Sequence, residues 1–161
     1  MPKSDAEVKV ADEVWIATAL LHRERPGEED FSLKDIEQRL RQENLAGGVR
    51  AGVYPHISAH CVANVPPNPG RYRMLVATGP SRRRLFREGD PAHPRRDGSK
   101  THPRRADIPA GYHELVDWYE HEWTSRVAHV DPLLALAGSG RALWSAEPVD
   151  EFIDDLRAGR R

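Results

Sequence analysis

Between Tyr54 and Asn64 the chain places His56, His60 and Asn64 at intervals of four, with Tyr54 and Ser58 interleaved. On a helix this spacing stacks side chains on one face. The three therefore form a polar stripe beside the apolar pair Ile57 and Cys61. Such a stripe has two chemical uses. Histidines four apart can ligate zinc, but the metalloprotease pattern needs a glutamate directly after the first, and Ile57 stands there. No metal or cofactor is expected. The second use is reading nucleic acid: an asparagine amide pairs bidentately with adenine, and Tyr54, His56, Ser58 and His60 are its companions toward base edges. Cys61 is the single cysteine, so neither an internal disulfide nor a four-thiolate zinc site is available. Consecutive helical residues diverge, so Cys61 and His60 make no nucleophile–base pair.

His93 and His102, with Asp90 and Asp97, form a second constellation. A histidine base and metal-holding carboxylates are nuclease chemistry. This set matches no spacing rule and supplies the alternative reading, a small nuclease or the specificity component of a restriction-like system acting on DNA.

The 161 residues carry a net charge of -1, but the average hides an asymmetry. Residues 1–70 hold 8 Lys/Arg against 11 Asp/Glu, residues 71–106 hold 11 against 3, and residues 107–161 hold 5 against 11. The local balances are -3, +8 and -6. A basic centre between acidic ends predicts partners of opposite sign, with a polyanion at the middle. Length allows one domain and an appendage. No apolar run is long enough to span a membrane and the N-terminus has no apolar signal core, so a cytoplasmic protein is expected.

The elements that would position these residues follow from periodicity. Val14, Ala17 and Leu21, broadened by Trp15, Ile16 and Leu20, predict a helix from about Asp12 to Arg25, stopped by Pro26-Gly27. Ser32 and Asp35 stand at capping-box spacing, and Phe31 and Ile36 at the spacing of a hydrophobic staple, so a second helix runs from Leu33 to about Glu43. A third is expected from Pro55 to Asn64, ended by Pro66-Pro67. Arg71–Thr78 and Arg82–Arg87 then read as strands around a Gly79-Pro80-Ser81 tip. Residues 91–108 lack periodicity and read as a basic loop that needs a ligand or a surface to lie on. A fourth helix is expected over 109–129, with Tyr112, Leu115, Val116, Tyr119 and Trp123 as a core stripe and Glu114, Asp117, Glu120 and Glu122 outside.

The expected class is α+β. Three helices followed by a hairpin with a basic tip, over residues 10–90, resemble the winged helix-turn-helix superfamily. The resemblance implies a third helix in the major groove of double-stranded DNA and a wing along its backbone. It makes Tyr54, His56, Ser58, His60 and Asn64 base-readers, with Arg82, Arg83, Arg84, Arg87, Arg95, Arg96 and Lys100 on phosphates. One such unit reads a half-site, so a homodimer is expected.

Residues 130–161 carry Leu133, Leu134, Leu136, Leu143, Trp144, Phe152, Ile153 and Leu156 between glycines and prolines, apolar anchors without a core of their own. This stretch resembles the C-terminal tail of VapB-type antitoxins of type II toxin–antitoxin systems. The resemblance implies a non-enzymatic autorepressor whose tail wraps a PIN-domain ribonuclease toxin. Trp144 would be the anchor, with Arg141 or Arg157 offered to the toxin's acidic metal site. A winged helix stands here in place of the ribbon-helix-helix or swapped-hairpin domain usual in that family.

Overall fold

The structure is a computed structural model and describes residues 7–126; the tail readings, Leu133 to Arg157, lie outside them. Its first helix, α1 (Val10–Glu24), is wrapped on all sides rather than along one stripe, with every residue from Ala11 to Ala19 buried. The polar residues in that run need internal partners. The Thr18 hydroxyl donates to Val14 O at 2.8 Å, Arg50 lies 3.0 Å from Glu13, and Lys100 Nζ donates to Asp12 Oδ1 at 2.7 Å.

A short strand that the sequence does not announce, β1 (Phe31–Ser32), leads directly into α2 (Leu33–Glu43). The expected capping box forms: Asp35 N–H donates to Ser32 Oγ at 3.0 Å and Ser32 N–H to Asp35 Oδ2 at 3.1 Å. Phe31 and Ile36 are both fully buried, as a staple requires. Asn44 ends the helix in the left-handed conformation, φ 54°.

The third helix is shorter than the sequence implies. α3 (Val53–Pro55) continues as one π turn, His56–His60, and Cys61 N–H closes it on His56 O at 3.0 Å. The chain leaves the helix there because Cys61 O is claimed by Met74 and Leu75 N–H, at 3.0 and 2.9 Å, which draws Val62 and Ala63 alongside the next strand. β2 (Leu75–Gly79) pairs antiparallel with β3 (Arg82–Leu85), and β1 pairs with the other edge of β3. The sheet order is β1-β3-β2.

Residues 91–108, expected as a loop awaiting a surface, lie on their own domain through two 3-10 turns, Pro94–Arg96 and Arg105–Asp107, and a third, Ala110–Tyr112, stands where the fourth helix was expected to begin. The last described helix, α4 (His113–Trp118), is shorter than the 109–129 expected: it passes into a π turn, Tyr119–Trp123, and residues 124–126 are turn and bend. Its aromatic stripe is core. Trp15 meets Tyr119 edge-on at 5.5 Å between ring centroids, and Tyr119 Oη and Trp123 Nε1 both donate to Phe86 O, at 2.7 and 3.3 Å. Glu114, Asp117, Glu120 and Glu122 face outward as expected. Ile108, Leu115, Val116, Tyr119 and Trp123 join the same apolar cluster as α1, so α4 is part of the same core. No helix among the described residues is long and apolar enough to cross a membrane.

Candidate nucleic-acid interface

α3 presents the residues expected to read bases, with one exception. Tyr54 is 60% exposed, the one large apolar side chain so exposed among the described residues. Ser58 and His60 are half-buried, and His56 Nδ1 lies 2.7 Å from Gly52 O. The His56 and His60 rings sit 4.9 Å apart, with Tyr72 6.3 Å from His56. Burial, then the neighbouring His56, holds the His60 imidazole below the usual histidine range. The exception is Asn64. It lies beyond the helix, and its amide is consumed by one backbone: Nδ2 donates to Ala77 O and Oδ1 accepts from Ala77 N–H, each at 2.9 Å. It extends the sheet and is unavailable to adenine.

Most of the cations expected on phosphates are corrected by the structure. Arg83 alternates with Arg82 and Arg84 on β3, so it turns to the opposite face of the strand and inward. It is 5% exposed and donates to Ile57 O at 3.1 Å and Ser58 O at 3.0 Å. Arg96, fully buried, donates to Ala59 O and His60 O, each at 2.8 Å, and also to Tyr72 O and Val65 O. The last carbonyls of a helix have no partner within it. Here four consecutive carbonyls, Ile57 to His60, are met by two arginines from β3 and the following loop. Two fixed positive charges also suit the negative end of a helix dipole.

The other cations are engaged elsewhere. Arg84 makes a bidentate pair with Asp90 at 2.6 and 2.7 Å, Arg87 is buried over the Trp123 ring at 4.2 Å, and Lys100 holds the buried Asp12. Arg82 pairs with Asp30, which also accepts from the Thr78 hydroxyl at 2.6 Å. Arg95 alone of the expected set is exposed with no protein partner among the described residues. The basic segment is mostly mortar: its arginines and lysine are engaged inside the domain by carbonyls, carboxylates or a ring. Arg71 shares the exposure of Arg95, and its only sequence signal is a place next to the Asn68-Pro69-Gly70 turn.

The residues of the nuclease alternative are not gathered. Asp90 accepts from Arg84 and from Arg87 N–H, Asp97 from Gly98 N–H, and His93 Nδ1 from Arg95 N–H. His102 lies between the Thr101 hydroxyl, 2.9 Å, and Glu120, 3.1 Å. Asp117, Glu120 and His121 are the group among the described residues whose ligand atoms come within 4.8 Å of one another, all three are exposed, and Arg105 is paired with both carboxylates. Comparison with known protein families, with curated proteins and with solved structures finds no match.

Proposed function

We propose that residues 10–90 form a winged helix-turn-helix that binds operator DNA, and that the chain is the antitoxin and autorepressor of a VapBC-like type II toxin–antitoxin system. The observation that carries the DNA reading is the connection order: helix, short strand, two helices and a hairpin, with the short strand paired to the hairpin's second strand. That pairing ties the start of α2 to the wing, and Leu33 N–H donates to Ser81 O at the hairpin tip at 3.2 Å. It supports a reading helix and a wing held in fixed relation, the arrangement that places one in the major groove and the other beside the backbone. Tyr54, His56, Ser58 and His60 are the base-facing residues in this reading, and a homodimer would span two half-sites.

The antitoxin part rests on the sequence of residues 130–161, whose apolar anchors and two arginines, Arg141 and Arg157, fit a segment that folds onto a partner. The protein acts in the cytoplasm and without catalysis of its own in this account. Co-purification tests it. Full-length chain is expected to hold the product of the adjacent gene, a ribonuclease with an acidic metal site, and a chain ending at His129 is expected to lose it. Retention by the truncated chain, or no complex with either, removes the antitoxin reading. The DNA reading is tested separately, by selecting duplexes from a random pool with the full-length protein.

A further inference from the structure

The phosphate contacts move off the wing once its arginines are accounted for. All but two of the cations between Arg71 and Arg105 have a protein partner; Arg71 and Arg95 have none among the described residues, and both are exposed. Their backbones are not loose. Arg71 follows Gly70, which lies against the His60 side chain so closely that a Cβ there would come within 2.6 Å of His60 Cβ. It precedes Tyr72, whose carbonyl accepts from Arg96 Nη1 at 2.6 Å. Arg95 immediately precedes Arg96 itself, and His93 N–H pins the same 3-10 turn to Ala63 O at 2.7 Å. Two short segments are thus clamped to the C-terminal end of the third helix, and each carries one outward guanidinium.

We infer that Arg71 and Arg95 are the residues that grip the DNA backbone, at the C-terminal end of the reading helix and not at the wing tip. The inference rests on the DNA-binding reading given above. A helix C-terminus by itself repels a phosphate, but here Arg83 and Arg96 already cover the terminal carbonyls. The charge added by Arg71 and Arg95 is therefore net positive and permanent. A guanidinium presents paired donors that match phosphate oxygens. At the wing, by contrast, Arg82 is already spent on Asp30.

The salt dependence of binding counts such contacts, because each neutralised phosphate contributes about -0.9 to the slope of log affinity against log salt. Full-length protein is titrated by fluorescence anisotropy with a duplex selected from a random pool, across a series of KCl concentrations. R71Q and R95Q are each expected to flatten the slope by about 0.9, and the double variant by about 1.8. R82Q is expected to leave it unchanged. Both side chains are exposed, so the variants keep the wild-type unfolding midpoint, which guards against a folding artefact. If R82Q flattens the slope and R71Q and R95Q do not, the wing carries the phosphates and the inference is overturned while the DNA reading stands. If no duplex is selected, the DNA reading falls and takes the inference with it. Binding of a poly-glutamate peptide in place of DNA, lost in the same two variants, would show that the pair serves an acidic protein partner, and overturns the assignment to nucleic acid.

Discussion

α2 and α3 are the two middle helices of the domain and are held by opposite means. α2 carries its own signals: Ser32 and Asp35 satisfy each other's amides at its start, and Asn44 turns it off at the end. α3 has no side-chain cap at its start, runs one α turn before widening into a π turn, and has its last carbonyls met by arginines 25 to 37 residues downstream. A helix specified locally can form early. One specified from a distance exists only when β3 and the loop after it are in place. The helix that would read DNA is therefore set by the rest of the domain, and its orientation is a tertiary property.

The largest test of that contrast is Arg96→Ala. It strips the side-chain donors from the His60, Val65 and Tyr72 carbonyls, leaves Ala59 O with Val62 N–H, and empties a fully buried site. Buried carbonyls left without donors cost about 1–3 kcal/mol each before relaxation. A loss of about 4 kcal/mol is expected in urea unfolding, a large fraction of the roughly 5–15 kcal/mol that holds a typical domain. Arg95→Ala, one residue away and exposed, should stay within about 0.5 kcal/mol. A loss below 1 kcal/mol for Arg96→Ala would mean that α3 stands without its arginines.

Acid distinguishes the arginine caps from the contact that joins α1 to the same strand. His22 is 1% exposed, accepts from Leu85 N–H at 3.2 Å, and lies between the Phe31 and Trp123 rings. Burial, then the Arg87 and Arg84 charges, pushes its imidazole from 6.5 down to about 3. The unfolded chain takes up this proton below pH 6.5 and the folded one does not until about 3. Stability from His22 is thus fully present above pH 6.5 and is lost as pH falls toward 3, at about 1.4 kcal/mol per unit. Arginine stays charged throughout, so α3 keeps its caps while the α1–β3 contact weakens. Urea midpoints measured between pH 7 and 4 should fall by an amount equivalent to about 3 kcal/mol. His22→Gln keeps an acceptor for Leu85 and should flatten that fall; an unchanged slope would assign the proton to another group.

The same contrast explains what could be read from the sequence. The spans of α1 and α2, the Ser32–Asp35 box and the Phe31–Ile36 pair were legible because each signal lies within one turn or one periodic run. The core stripe of α4 was legible for the same reason. The end of α3 at His60 was not, since it depends on Met74 and Leu75 taking the Cys61 carbonyl from across the fold. β1 was too short to show any alternation. Sequence counts charges but not their directions, so Arg82, Arg83 and Arg84 read as one basic tip. On the strand one pairs with Asp30, one caps a helix and one pairs with Asp90. Of the residues singled out for the candidate site, the placing of Tyr54, His56, Ser58 and His60 on one helical stretch was readable, and the inward turn of Arg83 and Arg96 was not.

Removing a local signal should cost less than removing a distant one. Ser32→Ala deletes the acceptor for Asp35 N–H and the hydroxyl that donates to Asp35 Oδ2, leaving that carboxylate the residue-32 N–H alone. An N-cap of this kind is worth about 1 kcal/mol. Chemical denaturation of the variant should show that loss with an unchanged denaturant slope, because the rest of α2 keeps its buried face of Ile36 and Leu40. A loss as large as that of Arg96→Ala would erase the distinction between the two helices.

Arg82→Ala is the smallest expected change and the one that isolates direction from charge. Arg82 and Arg83 are neighbours of the same type on one strand, but the Arg82 side chain is 46% exposed and faces Asp30, which itself keeps the Thr78 hydroxyl as a partner after the substitution. An exposed pair of this kind contributes about 0.2–1 kcal/mol. Arg83→Ala instead uncovers the Ile57 and Ser58 carbonyls and should cost about 2 kcal/mol or more. Urea unfolding of the two variants side by side, at low salt and again at about 0.5 M, separates the causes: screening should erase the Arg82 effect and leave that of Arg83. Equal losses in both would mean that the wing is held by its outward charges as much as by its buried one, and that α3 is not the helix its arginines specify.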